Sequence, residues 1–249
     1  MKTLLLDIET APNLAYVWGI WEQNISTGQI VDSSYILCWA AKWLGEKEVM
    51  FDSIHQSTEK KMLKGIHKLL DETDVVVHYN GRSFDIPCLN KEFLLNKMAP
   101  PSPYKQIDLL KVSRSNFRFQ SHKLDYVSKM LGHGGKVKHE GFQLWVSCMD
   151  GDKDAWKRME EYNKGDVTGL EKVYADFRPW IKGHPNHGAY DGRTVCVHCG
   201  GDHLQRRGYA VTRDAKYPRY QCAGPKGCGA WQRGTQKEPK ATKSTVVGV

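Results

Sequence analysis

The sequence predicts an α/β domain with a mixed sheet flanked by helices, followed by a small β-rich module. Short apolar runs alternate with stretches of helical periodicity as far as residue 182, which is typical of layered α/β domains. A stretch rich in glycine, proline and asparagine follows, and four of the seven cysteines lie beyond it. We therefore predict a first domain at 1–182, a linker at 183–193, a second domain at 194–233 and a disordered tail at 234–249.

The individual elements follow from the spacing of apolar residues. Apolar residues within 62–70 recur at helical spacing, whereas the VVV run at 75–77 is short and continuous, as in a buried strand. By the same criteria we predict strands at 2–10, 34–43, 48–51, 74–78 and 107–110. We predict helices at 58–71, 84–95, 124–131 and 155–174.

Composition and charge limit the class of protein. A hydrophobic content of 40% and a charged content of 26% are ordinary for a globular protein. No apolar run approaches the roughly 20 residues of a membrane span, and the start lacks the apolar core of a signal peptide, so we expect a cytoplasmic protein. The net charge of +8 is concentrated in 183–249, where 11 Lys and Arg accompany 4 Asp and Glu. This excess favours a phosphate-backbone partner, although a solubilising tail would have the same composition.

The first candidate site residues come at the end of a predicted buried strand. The apolar run LLL at 4–6 leads directly into Asp7 and Glu9. In an extended chain these two acids point to the same side, and Ile8 points to the other. Two such carboxylates repel each other unless a divalent cation lies between them, and oxygen ligands suit Mg²⁺ or Mn²⁺. The alternative is a strand that ends in an ordinary polar turn.

Two further acidic motifs follow along the chain. Asp85 comes after the turn at Asn80 and falls where a helix is predicted to begin, a position that also suits a simple helix cap. Tyr162 and Asp166 are four residues apart and therefore lie on the same side of a predicted helix. Taken alone, this last pair could be an exposed hydrogen-bonded pair.

In this order, the three motifs resemble those of the DEDD-type (DnaQ-like) 3′–5′ exonucleases of the RNase H-like superfamily. The match consists of Asp7-Ile8-Glu9, then Asn80 to Phe84-Asp85, then Tyr162-x3-Asp166, and it extends over roughly 1–178. The chain is most similar to the proofreading exonuclease domain of family B DNA polymerases. Because Tyr162 lies four residues before Asp166 and residue 161 is not histidine, the chain resembles the tyrosine subclass.

The resemblance implies a fold and a metal site. It implies an RNase H-like mixed β-sheet flanked by helices, and two catalytic Mg²⁺ or Mn²⁺ ions. Asp7, Glu9 and Asp166 would hold the ion that activates water, and Asp7 would bridge to the second ion. Asp85 would act on that second ion, largely through water.

The resemblance also implies roles for three residues that do not bind metal. Tyr162 would orient the attacking water by a hydrogen bond, because a phenol with a pKa near 10 is a poor base at neutral pH. Asn80 and Phe84 would position the terminal nucleotide. The alternative for these two is a turn residue and a core aromatic.

The cysteines of the second domain form two pairs in glycine-rich sequence. The pairs are Cys196-x2-Cys199 and Cys222-x5-Cys228. Four cysteines in a reducing compartment favour one structural Zn²⁺ in a zinc ribbon. His198 or His203 could replace one cysteine, and unligated thiols are the other alternative.

Cationic and aromatic side chains alternate between the two cysteine pairs. This composition suits single-stranded nucleic acid, because cations follow the backbone and rings stack on bases. The predicted substrate contacts are Arg206, Arg207, Tyr209, Arg213 and Arg219. The alternative is that the tyrosines pack around the metal site.

The sequence thus leads to a functional hypothesis. We expect a two-metal 3′–5′ exonuclease that hydrolyses DNA, at single-stranded 3′ ends, to nucleoside monophosphates in replication, repair or degradation. The zinc ribbon would grip the substrate or a replication partner such as a DNA polymerase. One alternative is an RNA 3′–5′ exonuclease. An alternative of another class is a non-catalytic nucleic-acid-binding or scaffold protein.

Overall fold

The structure is a computed structural model that describes residues 1–135, 140–213 and 215–238. The chain divides into two compact units, Lys2–Tyr174 and a second unit that begins at Ala175. The domain limits expected from the sequence stay a prediction. Most of the predicted tail, from residue 239 onwards, lies outside the described residues.

The first unit contains a five-stranded mixed sheet. Its strands, together with a short hairpin, are β1 (Thr3–Thr10), β2 (Leu14–Ala15), β3 (Ile30–Asp32), β4 (Ile36–Trp43), β5 (Met50–Ser53), β6 (Val75–His78) and β7 (Lys105–Asp108). The strand order is β5-β4-β1-β6-β7. The pairs β5-β4 and β4-β1 are antiparallel, whereas β1-β6 and β6-β7 are parallel. The predicted α/β fold class with a mixed sheet is confirmed.

Helices flank this sheet. They are α1 (Glu59–Glu72), α2 (Asp85–Leu95), α3 (Leu109–Asn116), α4 (Leu124–Met130), α5 (Phe142–Met149) and α6 (Lys153–Phe177), and a 3₁₀ turn covers Thr27–Gln29. The predicted strand at 107–110 is wrong in its second half, because Asp108 caps α3 by accepting a hydrogen bond from the Leu110 N–H. Helices α3 and α5, each eight residues long, were not predicted from the sequence.

Two apolar clusters of this unit contain residues of β1 or the residue that follows it. Leu4, Leu6 and Ile8 belong to a cluster with apolar residues of α1 and α2. Ala11 belongs to a second cluster with Leu37 of β4 and apolar residues of α5 and α6. Full burial of each large apolar side chain contributes about 1.5–3 kcal/mol. Strand β1 is therefore held in the centre of the unit, and its carboxyl end carries the candidate site.

The second unit contains a small three-stranded antiparallel sheet. A 3₁₀ turn at Arg178–Trp180 and a short helix α7 (Gly188–Asp191) precede β8 (Leu204–Val211), β9 (Lys216–Cys222) and β10 (Trp231–Arg233). The strand order is β10-β9-β8, and α7 lies within the predicted linker. Among the residues that the structure describes, the buried members of its apolar cluster are Cys196, Cys222 and Ala230. So small a core suggests that a metal supplies much of this unit's stability.

Among the helices that the structure describes, none combines the length and the apolar character needed to cross a bilayer.

Candidate active site

Three acids that are distant in the sequence meet at the end of β1. Asp7 and Glu9 lie two residues apart on the strand, and Asp166 lies on α6. One carboxylate oxygen from each lies within 4.8 Å of one from each of the others. They meet because α6 packs, through Tyr162, in the same apolar cluster as Ala11 of the β1 end. The structure therefore brings together three of the four predicted acids.

The chemistry of this cluster fits a divalent cation. Asp166 is only 5% exposed, and Asp7 and Glu9 are half-buried. Three carboxylates in partly buried surroundings repel one another strongly, because screening by water is reduced there. A hard cation with oxygen ligands, such as Mg²⁺ or Mn²⁺, removes that repulsion. These residues are therefore the ones that could hold the catalytic metal.

Asp85 lies beside this cluster but outside it. Its Oδ1 accepts a hydrogen bond from the Ile8 N–H at 3.2 Å, so it reaches the backbone between the two acids of β1. The residue pairs of β1 with β6 extend only as far as Leu5, which leaves the Ile8 N–H for a side chain. Burial raises the pKa of Asp85 to about 7. Its predicted action on a second metal stays a prediction.

Replacing Asp85 by asparagine is expected to stabilise the metal-free protein above neutral pH. Burial holds the folded-state pKa near 7, above the unfolded value of 3.8, so ionisation costs the folded state free energy as the pH rises between these values. Asparagine can still accept from Ile8 but carries no charge. We expect the melting temperature of Asp85→Asn in EDTA to exceed that of the native chain by a few degrees at about pH 8 and by nothing at about pH 4.

Asp71→Asn is the matched control for this measurement. Asp71 is exposed and accepts two hydrogen bonds from Ser102, which lower its pKa, so its replacement is expected to have the opposite sign. A melting temperature of Asp85→Asn below that of the native chain at about pH 8 would contradict the buried-charge argument.

Asn163 is a site residue that the sequence analysis missed. Its Nδ2 donates a hydrogen bond of 2.7 Å to Oδ2 of Asp7, and its side chain is fully buried. The thiol of Cys38 donates a weak hydrogen bond of 3.8 Å to Asn163 Oδ1. Both contacts hold the Asp7 carboxylate in one orientation. The available signal was its position three residues before Asp166, which places both on one side of α6.

Removal of this hydrogen bond is expected to weaken metal binding. Asn163→Leu keeps the side-chain volume but removes the 2.7 Å hydrogen bond to the Asp7 carboxylate, so we expect affinity for Mn²⁺ to fall about 10–100-fold. Isothermal titration with Mn²⁺ measures this without relying on catalysis. Asn116→Leu on α3, whose amide contacts Val112 O and Ser115 Oγ, is the control. Equal Mn²⁺ affinity in the native chain and Asn163→Leu would refute the positioning role.

The remaining predicted residues of this site differ in exposure. Tyr162 lies one turn before Asp166, and its ring is buried edge-on against Trp145, with centroids 5.9 Å apart. Asn80 and Phe84 lie in the turn before α2, and both are exposed. Since Phe84 is 44% exposed, the core-aromatic alternative for it is wrong. Both side chains are thus accessible to a ligand.

The turn that carries Asn80 is sterically specified. Asn80 adopts a left-handed backbone conformation with φ of 68°, which asparagine tolerates better than most residues. A Cβ atom on Gly81 would lie 2.5 Å from the ring of His78, so glycine is required there. The Asn80 N–H donates to Asp108 Oδ1 at 3.0 Å and fixes the turn against β7.

A cavity of about 230 Å³ opens next to Asp166. It is lined by residues of α4 and α6 and of the segment after α4, among them His133 and Lys172. Lys172 contributes a cation and His133 an imidazole ring to the lining of this cavity, which Asp166 also lines. The cavity could receive part of an anionic substrate.

The four cysteines of the second unit also converge. Their Sγ atoms all lie within 4.8 Å of one another, with Cys196 and Cys228 at 3.6 Å and Cys199 and Cys222 at 3.7 Å. Four sulfurs placed tetrahedrally at about 2.3 Å from Zn²⁺ would be separated by about 3.8 Å. The donor set therefore fits a structural zinc ion.

The positions of the histidines agree with this arrangement. The hydrogen bond between the two thiols lowers the pKa of Cys196 to about 4 and raises that of Cys228, so the pair shares one proton. His198 Nδ1 instead contacts Arg178 O at 2.8 Å, and His203 Nδ1 lies 3.4 Å from Asp202. Among the described residues, the cluster of possible metal ligands in this unit contains the four cysteines and neither histidine.

The predicted substrate contacts of the second unit are all exposed but lie on different faces of its sheet. Arg219 pairs with Arg233 on one face, where their guanidinium groups lie over Trp231 and Tyr217 at 4.9 and 4.1 Å. On the other face, Tyr209 is covered by Arg206 at 5.4 Å and by Lys216 at 4.7 Å. Arg207 lies in the irregularity of β8, and Arg213 in the loop that follows.

The chain is similar to known proteins in both sequence and fold. The family model of the RNase H superfamily matches residues 4–177. Among solved structures, the chain is similar to the family B DNA polymerase from the hyperthermophilic archaeon Pyrobaculum calidifontis, with a TM-score of 0.54 and 14% sequence identity. The similarity covers 88% of this chain but only 33% of the polymerase chain. No curated protein matches the chain. At this identity the structural similarity shows a shared fold alone.

Proposed function

The chain belongs to the RNase H superfamily, and from this premise we propose that it is a metal-dependent 3′–5′ exonuclease acting on DNA. It would remove nucleoside monophosphates from single-stranded 3′ ends. Membership of the superfamily and the polymerase-like fold support a nuclease. The observation that carries the finer proposal is the convergence of Asp7, Glu9 and Asp166 within 4.8 Å, with Tyr162 one turn before Asp166.

Each side chain of the site has a proposed task. Asp7, Glu9 and Asp166 would hold the divalent cation, and Asn163 orients Asp7 through its 2.7 Å hydrogen bond. When bound, the cation offsets the negative charge that develops on the phosphoryl and leaving oxygens. Asp85, whose pKa is raised by burial to about 7, would add a fourth carboxylate beside β1 and assist a second cation.

Substrate positioning is assigned to the neighbouring side chains. Tyr162 orients the attacking water by hydrogen bonding, since its phenol is a weak base at neutral pH. Asn80 hydrogen-bonds the terminal nucleotide, and the exposed ring of Phe84 packs against its base. The ring of Tyr162 is buried edge-on against Trp145, which limits its motion.

Digestion of labelled oligonucleotides tests the proposal. The substrates are matched single- and double-stranded DNA and RNA, labelled at the 5′ end, with Mg²⁺, Mn²⁺ or EDTA. We expect single-stranded DNA to shorten stepwise from its 3′ end with either metal and to stay intact in EDTA. Preferential shortening of RNA would favour the alternative RNA exonuclease. Intact substrates in every metal would favour a non-catalytic binding protein.

We propose that the second unit binds one structural Zn²⁺ and, in this folded form, binds single-stranded nucleic acid. Its exposed arginines lie over aromatic rings, an arrangement that can contact phosphates and bases together. The excess of 11 cations over 4 anions in 183–249 supports an electrostatic contribution to affinity. A replication protein, such as a DNA polymerase, is the alternative partner of this unit.

Charge removal in the second unit is expected to reduce the salt dependence of binding. Each phosphate contact to single strands contributes about 0.7 to the slope of log affinity against log salt, so Arg206→Ala with Arg219→Ala should lower the slope by about 1.4. Fluorescence anisotropy of an oligonucleotide measures the affinity at each salt concentration. Lys60→Ala with Lys64→Ala on α1 removes the same charge as a control. If the slope of log affinity against log salt is unchanged in the arginine variant, the proposed binding of nucleic acid by the second unit is wrong.

A cellular role is part of the same proposal. We place the protein in the cytoplasm, in DNA replication, repair or degradation. The similarity of its fold to part of a DNA polymerase supports that context.

A further inference from the structure

The chain segment that connects the site strand β1 to its neighbour β4 in sequence contains an apolar arm. It comprises residues 14–32, with β2 and β3 at its base. Eight of its side chains are large, apolar and exposed: Leu14, Tyr16, Val17, Trp18, Ile20, Trp21, Ile25 and Val31. Trp18 is 100% exposed, and Tyr16, Ile20 and Trp21 are 79%, 83% and 81% exposed. Neither large apolar cluster of the first unit includes any of them.

The backbone of the arm is nevertheless held by hydrogen bonds. The Tyr16 N–H donates to Gln29 O at 3.0 Å, and Gln29 Nε2 donates back to Tyr16 O at 2.9 Å. The Ser26 N–H donates to Gln29 Oε1 at 3.0 Å and closes the turn. An isolated two-stranded hairpin is only marginally stable in water without packing against another surface. The arm thus presents a defined apolar surface that lacks a covering layer within the two clusters.

The size of this surface is that of a protein interface. The three aromatic rings alone expose on the order of 400–650 Å², and the aliphatic side chains raise the total to roughly 800 Å². The largest apolar patch of a typical monomer is about 300–600 Å². A standard interface buries about 800 Å² on each partner. The arm alone therefore offers what one side of a stable interface needs.

The charge of the arm excludes a phosphate backbone as the favoured partner. Residues 3–41 contain no lysine or arginine, although the whole chain has 36 of them. The arm itself carries only the acids Glu22 and Asp32. Nucleic-acid affinity depends on cations, whereas protein interfaces are rich in tryptophan and tyrosine and poor in charge at their centres. The arm has the second composition.

We propose that the arm packs against the same arm of a second copy of this chain, in a two-fold symmetric dimer. An isologous contact requires a surface that is complementary to itself, and an apolar surface with two acids in 19 residues meets this condition with little repulsion. Two arms together would bury roughly 1,600 Å², the standard size for a specific complex. This inference does not depend on the proposed nuclease function.

Measurement of the molar mass in solution tests the dimer. Sedimentation equilibrium of the full chain, from about 0.5 to 100 µM, compares the native protein with Trp18→Ser/Trp21→Ser and with Ile20→Lys. Leu94→Ser/Leu95→Ser, which removes two exposed leucines of α2, is the matched control. The substitutions affect exposed side chains, and circular dichroism checks that the variants fold.

The expected result is two chains per particle for the native protein and the control, and one chain per particle for both arm variants, with a loss of affinity of at least about 100-fold. A native protein that stays monomeric at every concentration would overturn the inference. So would arm variants that remain dimeric. An unchanged mass combined with weakened binding of a single-stranded oligonucleotide in the arm variants would also overturn it and would assign the arm to stacking on bases.

Discussion

Asp7→Ala is expected to abolish hydrolysis while leaving the metal-free protein folded. Asp7 supplies one of the three carboxylates that converge within 4.8 Å, and it accepts the hydrogen bond from Asn163. Loss of one ligand from a catalytic metal site costs several kcal/mol of transition-state stabilisation, so we expect activity to fall by about 10³-fold or more. The activity of Asp166→Ala should fall by a similar factor.

The melting temperature in EDTA separates this effect from misfolding. Removing one of three clustered negative charges relieves repulsion, which opposes the penalty of about 1–3 kcal/mol for leaving the buried Asn163 amide unpaired. We therefore expect a change of only a few degrees. Tyr162→Phe should be milder and retain measurable turnover, because it removes an orienting hydroxyl rather than a ligand. Glu48→Ala, at an exposed acid, is the control.

Either outcome of these assays is informative about the acids. Full activity in Asp7→Ala or in Asp166→Ala would end the assignment of the site to this cluster. An inactive variant that also fails to fold would require the isosteric Asp7→Asn, which keeps an acceptor for Asn163. If Asp7→Asn folds and retains full hydrolysis, the metal-ligand role of Asp7 is wrong.

Cys222→Ser is expected to release zinc and unfold the sheet of the second unit. Cys222 is fully buried and lies 3.7 Å from Cys199, its neighbour in the four-sulfur cluster. Within the described part of the chain, the other buried members of this apolar cluster are Cys196 and Ala230, so the cluster offers little packing without the metal. Binding of structural zinc supplies about 10–16 kcal/mol in small zinc modules, more than so small a core can replace.

Zinc content and spectroscopy measure this outcome. We expect about one zinc ion per native chain, almost none in Cys222→Ser, and loss of near-ultraviolet dichroism from the aromatic residues of β9 and β10. Cys88→Ser replaces a cysteine of α2 that lies outside the cluster, and it should retain zinc. Retention of a full equivalent of zinc by Cys222→Ser would contradict the four-cysteine site.

The sequence predicted much of the fold because its elements have clear periods. The mixed sheet, the long helix α6 and the amphipathic helix α1 all came from spacing alone. Helices α3 and α5 and the hairpin of β2 and β3 were not predicted, although equally short elements such as β6 and α4 were. Glycine and proline content predicted a linker at 183–193, and helix α7 lies within that range.

Part of the site was predictable because strands and helices have regular repeats. Asp7 and Glu9 share a side because a strand repeats every two residues, and Tyr162 and Asp166 share a side because a helix repeats every 3.6. Asn163 could have been found by the same rule, but an amide without a charge gave no reason to select it. The hydrogen bond that joins Asn163 to Asp7 spans 156 residues, which no local pattern encodes.

The amino-acid sequence by itself thus determined which side chains share a face of each element, because the backbone repeat is a local property. Only the tertiary structure decided which faces meet. It set Asp166 beside β1 and turned Asp85 toward the Ile8 N–H, because burial of apolar surface positions α2 and α6 against the sheet. It also left the arm at 14–32 exposed, since exposure depends on what the rest of the chain covers.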